Sequence, residues 1–140
     1  MVFQSEKNLE DAVIPFLEKQ FKLYSQQVPL YNRVIDFVGV DDDGNIIGIE
    51  FKLNNWKRAL KQAKNNRNAF DFVYICIPNN KNIEKIIFEA KKNGVGVIIF
   101  DFISNEPRFV LQAQKVNIQW LPNYTFISDY ITKSGVRLAV

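Results

Sequence analysis

The chain has 140 residues, 47% hydrophobic and 24% charged, with 18 basic against 15 acidic side chains and a net charge of +3. That is long enough to bury a real core, and one domain over residues 1–140 is the expectation. With no histidine and one cysteine, Cys76, His-based triads, His metal sites and a disulfide framework are excluded, which leaves carboxylates, lysines or a metal for any chemistry.

Taken in chain order, Ser5 can cap a first helix running to about Tyr24, with Leu9, Val13, Phe16, Leu17, Gln20 and Tyr24 along one stripe. Pro15 is expected to kink or divide that helix. Val28 to Tyr31 reads as a short strand. Residues 33–40 and 46–53 read as a β-hairpin closed by Asp42-Asp43-Gly44, with Gly44 supplying the positive φ. Ile47, Ile49, Phe51 and Leu53 then share one face of the second strand and should pack on a helix layer.

Asn54 or Asn55 caps the next helix, to about Asn68, with Trp56, Ala59, Leu60 and Ala63 inward. Residues 71–77 read as a central strand stopped by Pro78, and residues 82–93 as a helix ending at Gly94. Residues 95–102 form another buried strand, and 108–113 an edge strand after Pro107. Pro122 to Lys133 fits a short C-terminal helix. Alternation of strand and helix after residue 46 points to an α/β architecture with parallel pairing in its second half. No apolar stretch reaches the ~18 residues of a membrane span, and the start shows no signal-peptide pattern. The expectation is a cytoplasmic protein with no membrane partner.

The hairpin carries charge where folding alone would place none. In its register Val40 faces Ile46, Val38 faces Gly48 and Asp36 faces Glu50, with Lys52 next on the same face. Like charges directly opposite one another destabilise a sheet, and burial raises the cost unless something positive lies between them. A divalent cation meets that requirement, and the bland alternative is a cross-strand ion pair bridged by Lys52. Between Phe51 and Phe70 lie Lys52, Lys57, Arg58, Lys61, Lys64 and Arg67 with no acid among them. Such a block can contact phosphates or form a solvated helix face.

An aspartate on one strand followed by Glu-x-Lys on the next resembles the PD-(D/E)XK nuclease superfamily, and the resemblance covers roughly residues 5–102. It implies an α/β, restriction-endonuclease-like αβββαβ core with a mixed central sheet flanked by helices, residues 103–140 being a C-terminal extension. It implies Mg²⁺ or Mn²⁺ held by Asp36, Glu50 and the backbone carbonyl of Phe51, with Lys52 beside the scissile phosphate. Hard carboxylate oxygens suit either ion. The Glu-x-x-Leu pattern at Glu6 looks like the family's first-helix acid, with Glu10 the second candidate, because both fall within the apolar arc of that helix. Gln62-Ala63 matches the glutamine that many members carry on the following helix. The proline usual before the aspartate is Ile35 here, and Arg33 resembles an arginine found near the metal aspartate in several members. Small bacterial or archaeal members are the most similar within the superfamily.

The expected function is therefore metal-dependent hydrolysis of phosphodiester bonds in DNA, as an endonuclease, with Asp36, Glu50, Lys52, Glu6 and Gln62 at the site. Lys57, Arg58, Lys61 and Lys64 would contact nucleic acid. One alternative is the same fold as a catalytically silent nucleic-acid-binding or assembly module; another is a structural protein self-associating through its C-terminal segment. A homodimer is compatible with the nuclease reading, since cutting both strands needs two sites. Cys76 reads as a buried small hydrophobe, Trp56 as core, and Asp41–Asp43 as a solvated turn. Tyr31 and Trp120 could stack on bases or simply pack.

Overall fold

The computed structural model describes residues 5–137. Helix α1 (Glu6–Glu18) is followed by strands β1 (Leu23–Leu30), β2 (Arg33–Val40) and β3 (Ile46–Phe51). Then come α2 (Trp56–Asn66), a short 3₁₀ turn (Arg67–Ala69), β4 (Phe72–Pro78), α3 (Ile83–Lys92), β5 (Gly96–Asp101), β6 (Glu106–Leu111), α4 (Leu121–Ser134) and β7 (Val136–Arg137). The strands form one mixed sheet in the order β6-β5-β4-β3-β2-β1-β7. β3, β4 and β5 are parallel and the remaining neighbours antiparallel. The run from α1 to β4 is the αβββαβ order of a restriction-endonuclease-like core.

Two apolar clusters hold this sheet between helix layers. On one face, Leu9, Val13, Ile14 and Leu17 of α1 meet Phe37, Ile47, Ile49 and Phe51. On the other, Ala59, Leu60 and Ala63 of α2, Ile86 and Ala90 of α3, and Ile127 and Ile131 of α4 cover Val38, Ile46, Val73, Ile75 and Val97. The hairpin has the expected register, with Val40 opposite Ile46 and Val38 opposite Gly48. Its turn closes through the Gly44 N–H on the Asp41 carbonyl, at φ 83° for Gly44. Gly48 is glycine for a packing reason: a Cβ there would lie 2.9 Å from the Phe70 ring.

Three expectations are corrected. The first helix stops at Glu18, and residues 23–24 are strand. Cross-strand pairing of Leu23 through Leu30 with β2 outweighs the helical period, and the Tyr24 ring stacks on Phe37 at 5.8 Å between centroids. Pro15 does not divide α1, because it sits on the exposed side, where water can serve the Asp11 carbonyl that loses its N–H partner. The edge strand expected over 108–113 begins earlier, at Glu106, and a two-residue strand, β7, forms the opposite edge, with α4 packed on β1.

Asp71 fastens that C-terminal segment to the sheet. Its buried carboxylate accepts from the Ile46 N–H (2.8 Å), the Tyr124 hydroxyl (2.9 Å) and the Gln119 side-chain amide (2.9 Å). Its backbone carbonyl accepts from the Val116 N–H. The Tyr124 hydroxyl is pushed up to about 12, by burial first and then by the neighbouring Asp71.

Candidate functional site

Asp36 and Glu50 sit where β2 and β3 leave regular pairing. The ladder runs from Val40↔Ile46 to Phe37↔Ile49, and one further step of the same register sets Asp36 opposite Glu50. There the Asp36 carboxylate accepts the Phe51 N–H at 2.8 Å, and the Asp36 and Glu50 carboxyl groups hydrogen-bond to each other. Burial is the leading cause that pushes both above the usual carboxylate range; for Glu50, 8% exposed, the charge of Asp36 adds to it. Two acids in this contact cannot both ionise cheaply, so the pair retains a proton at neutral pH.

The first helix brings both of its candidate acids to the site, in different states. Glu6 is half exposed and its carboxylate lies 3.3 Å from the Lys52 ammonium. Glu10 is buried, 7% exposed, and pushed up to about 7 by burial and then by the Asp36 charge. Glu10 is therefore the first-helix acid that shares the low-dielectric interior with Asp36, while Glu6 reaches the site through Lys52.

Sequence reasoning missed two residues here. Asn66, on the last turn of α2, is buried with its Nδ2 3.5 Å from a Glu50 carboxylate oxygen, and its own Oδ1 has no partner. It reads in sequence as one more helix-end asparagine, so only the fold exposes it. Gln27 has φ 51°, a left-handed conformation in mid-strand, and donates to Glu10 at 3.4 Å. It falls between the pairs Gln26↔Phe37 and Val28↔Ile35, opposite Asp36. Strained backbone of this kind costs about 1–3 kcal/mol and concentrates where function is held. No composition signal marks it.

Gln62 of α2 lies on the Glu50 side of the helix. It lines a 210 Å³ pocket with Arg33, Val34, Glu50, Asn65 and Asn66. Among the described residues, no group of three or more His, Cys, Asp and Glu side chains closes on a common metal position. The donors at hand are the Asp36 and Glu50 carboxylates, with Glu10 behind them.

No family model and no curated protein matches this chain. Among solved structures, the SPO1766 protein of unknown function from Silicibacter pomeroyi matches with a TM-score of 0.55 at 17% identity, over 79% of this chain and 72% of that one. That likeness shows the fold. A repair endonuclease from Pyrococcus abyssi (TM-score 0.48, 22% identity, 69% of this chain and 47% of that one) lies further off. So does Pyrococcus furiosus SfsA in complex with Ca²⁺ (0.40, 15%, 78% and 61%). The chain spans about half the length of the repair endonuclease, and neither of these two likenesses carries a functional argument.

The fold divides the basic block of α2. At 3.6 residues per turn, about 100° per residue, Gln62 falls on one flank of the buried Ala59-Leu60-Ala63 line, and Lys57, Lys61 and Lys64 on the other. Arg58 and Asn65 point outward between the flanks. The three lysines consequently line a depression against α3 and not the Glu50 pocket. Trp56 is half buried at the end of that depression, with the Lys57 ammonium 5.7 Å above its ring. Cys76 is fully buried and its thiol pushed upward by burial, as a small hydrophobe would be. Tyr31 and Trp120 are exposed, Tyr31 stacking on Phe126. No helix among the described residues is long and apolar enough to cross a membrane.

Proposed function

We propose that the chain is a nuclease that hydrolyses phosphodiester bonds in DNA with a divalent metal, Mg²⁺ or Mn²⁺, held by Asp36 and Glu50. The observation that carries this reading is the buried carboxyl pair itself. It lies buried across two strands with the carboxyl groups in contact, displaced from the usual acid range by burial first. The donor set fits the ion: all-oxygen, hard ligands, with the Phe51 carbonyl as a further candidate and Glu10 close by. A bound ion would supply Lewis acidity toward the phosphate and lower the pKa of an attacking water.

The rest of the chemistry falls to the chain's own side chains. Lys52, held by Glu6, places a positive charge beside the pair, where it offsets charge developing on a phosphate and orients the attacking water. The Phe51 N–H holds one oxygen of Asp36 in place. Asn66 steadies Glu50 from below, and Gln62 and Arg33 line the approach to it.

The test is a panel of single-stranded, duplex, flapped and four-way DNA, plus RNA, incubated with Mn²⁺. Wild-type protein should cut at least one DNA substrate, and Glu50→Ala and Lys52→Ala should not, with circular dichroism unchanged. Cleavage that survives both substitutions rules out this site. Because no three-carboxylate cluster forms among the described residues, a catalytically silent nucleic-acid-binding module is the competing reading. Isothermal calorimetry separates the two: Mn²⁺ uptake lost in Glu50→Ala supports the nuclease, and salt-sensitive DNA binding without Mn²⁺ uptake supports the module.

A further inference from the structure

A depression of 570 Å³ lies between α2 and α3, and its lining has a definite chemistry. Trp56 and Leu60 form its apolar part, and Lys57, Lys61 and Lys64 of α2 face Lys85 of α3 across it. A second depression of 480 Å³ shares Lys64 and Asn93 with the first and adds Arg67 and Lys92. It also includes Asn65, which lines the Glu50 pocket. The surface thus runs from the carboxylates around the C-terminal end of α2 and back along its length to Trp56.

Charge along this path is nearly all of one sign. Among the residues lining the two depressions the one acid is Glu89, 3.6 Å from Lys92. No carboxylate among the described residues pairs with Lys57, Lys61, Lys64, Lys85 or Arg67 at ion-pair distance. Holding unpaired cations side by side is unfavourable unless an anion is shared among them. The eleven residues of α2 span about 16 Å at 1.5 Å per residue, which matches several phosphates and not one. A polyanion fits that length, and an aromatic ring at its end fits a base.

We propose that the α2–α3 groove holds a single-stranded stretch of nucleic acid outside the position of cleavage, with phosphates on Lys57, Lys61, Lys64 and Lys85 and an unpaired base against Trp56. The inference rests on the nuclease reading for its partner, but not on turnover. It assigns the lysines of α2 to strand holding, away from the reacting phosphate. A polyanion is favoured over a protein partner because the cations lining the groove are nearly all without a carboxylate partner among the described residues.

The experiment is fluorescence titration in EDTA, where no cleavage interferes, on protein carrying Trp120→Phe so that Trp56 alone reports. Single-stranded oligonucleotide should quench Trp56, and duplex of the same length should not. Lys61→Glu/Lys85→Glu should weaken binding at least tenfold at low salt. Two lost phosphate contacts on a single strand should also lower the slope of log K against log salt by about 1.4. Lys61→Ala/Lys85→Ala, checked by circular dichroism, should shift affinity in the same direction by less. Unchanged affinity in both double variants, or equal quenching by duplex, overturns the proposal. Mn²⁺ cleavage assays on the same proteins keep the two readings apart. Cleavage with an inert groove removes only the groove, and groove binding without any cleavage removes only the nuclease.

Discussion

Two buried acids on one sheet show how a structural carboxylate differs from a functional one. Asp71 meets three donors within 2.9 Å, from Ile46 of β3, Tyr124 of α4 and Gln119 of the segment leading into α4, and ties those parts together. Asp36 and Glu50 meet each other, with one backbone N–H apiece and an asparagine amide at 3.5 Å from Glu50. Burial is similar for Glu50 and Asp71, so burial alone does not separate the roles. The number and quality of the donors do. A carboxylate supplied with donors is stable as an anion; one facing another carboxylate waits for a proton or a cation.

The sharpest way to break this contrast is to delete each acid in turn. Glu50→Ala is expected to reduce cleavage by about 10²–10³-fold or more while the melting temperature in EDTA holds or rises. Asp71→Ala should destabilise by about 2–4 kcal/mol, since it strands three buried donors. If chemical denaturation shows the two variants equally destabilised, the distinction fails.

A second effect concerns pH. The folded pair and Glu10 keep protons that unfolded carboxylates, with ordinary values near 4, have already released. The folded state therefore binds more protons from about pH 4 to beyond neutrality, and stability of the metal-free protein falls as pH rises through that window. Glu50→Gln should remove most of that slope and stabilise the metal-free protein at pH 8 by about 1–3 kcal/mol. Melting curves in EDTA from pH 5 to 8 read this directly, and a flat wild-type profile contradicts it. For the same reason Mn²⁺ should bind more tightly as pH rises, releasing a proton as it displaces the shared one.

Smaller effects sharpen the comparison at its edges. Tyr124→Phe removes one donor from Asp71 and should cost about 1 kcal/mol, with cleavage untouched. Gln27→Gly exchanges backbone strain for a lost Glu10 contact, so its net effect on stability should stay within about 1 kcal/mol. Cleavage should nevertheless fall several-fold if that strand distortion holds the acids in place, and unchanged cleavage removes Gln27 from the site.

Much of the site's framework is legible in the residues. Asp42-Asp43-Gly44 dictates the turn, the turn dictates the register, and the register sets Asp36 opposite Glu50, because side chains alternate and a hairpin loop leaves one pairing. The α2 stripe Ala59-Leu60-Ala63 and the buried strands follow from period alone. Local rules failed where distant segments decide. Residues 19–24 carry a helical pattern, but the chain turns after Glu18 and β2 recruits Leu23 and Tyr24 as strand. The C-terminal segment has no strong pattern of its own and takes its place from Asp71, Ile127 and Ile131.

What the amino-acid sequence by itself determined is the element order, the hairpin register and the pairing of two acids with a nearby lysine, all consequences of short-range geometry. What only the tertiary structure decided is which surface each charge serves. It buried Glu10 and left Glu6 on Lys52, set Asn66 beneath Glu50, put Gln27 in a left-handed conformation within β1, and turned Lys57, Lys61 and Lys64 toward α3. Those outcomes depend on how helices roll against a sheet, and a helix's rotation is fixed by the side chains it packs on, which lie far away in the chain.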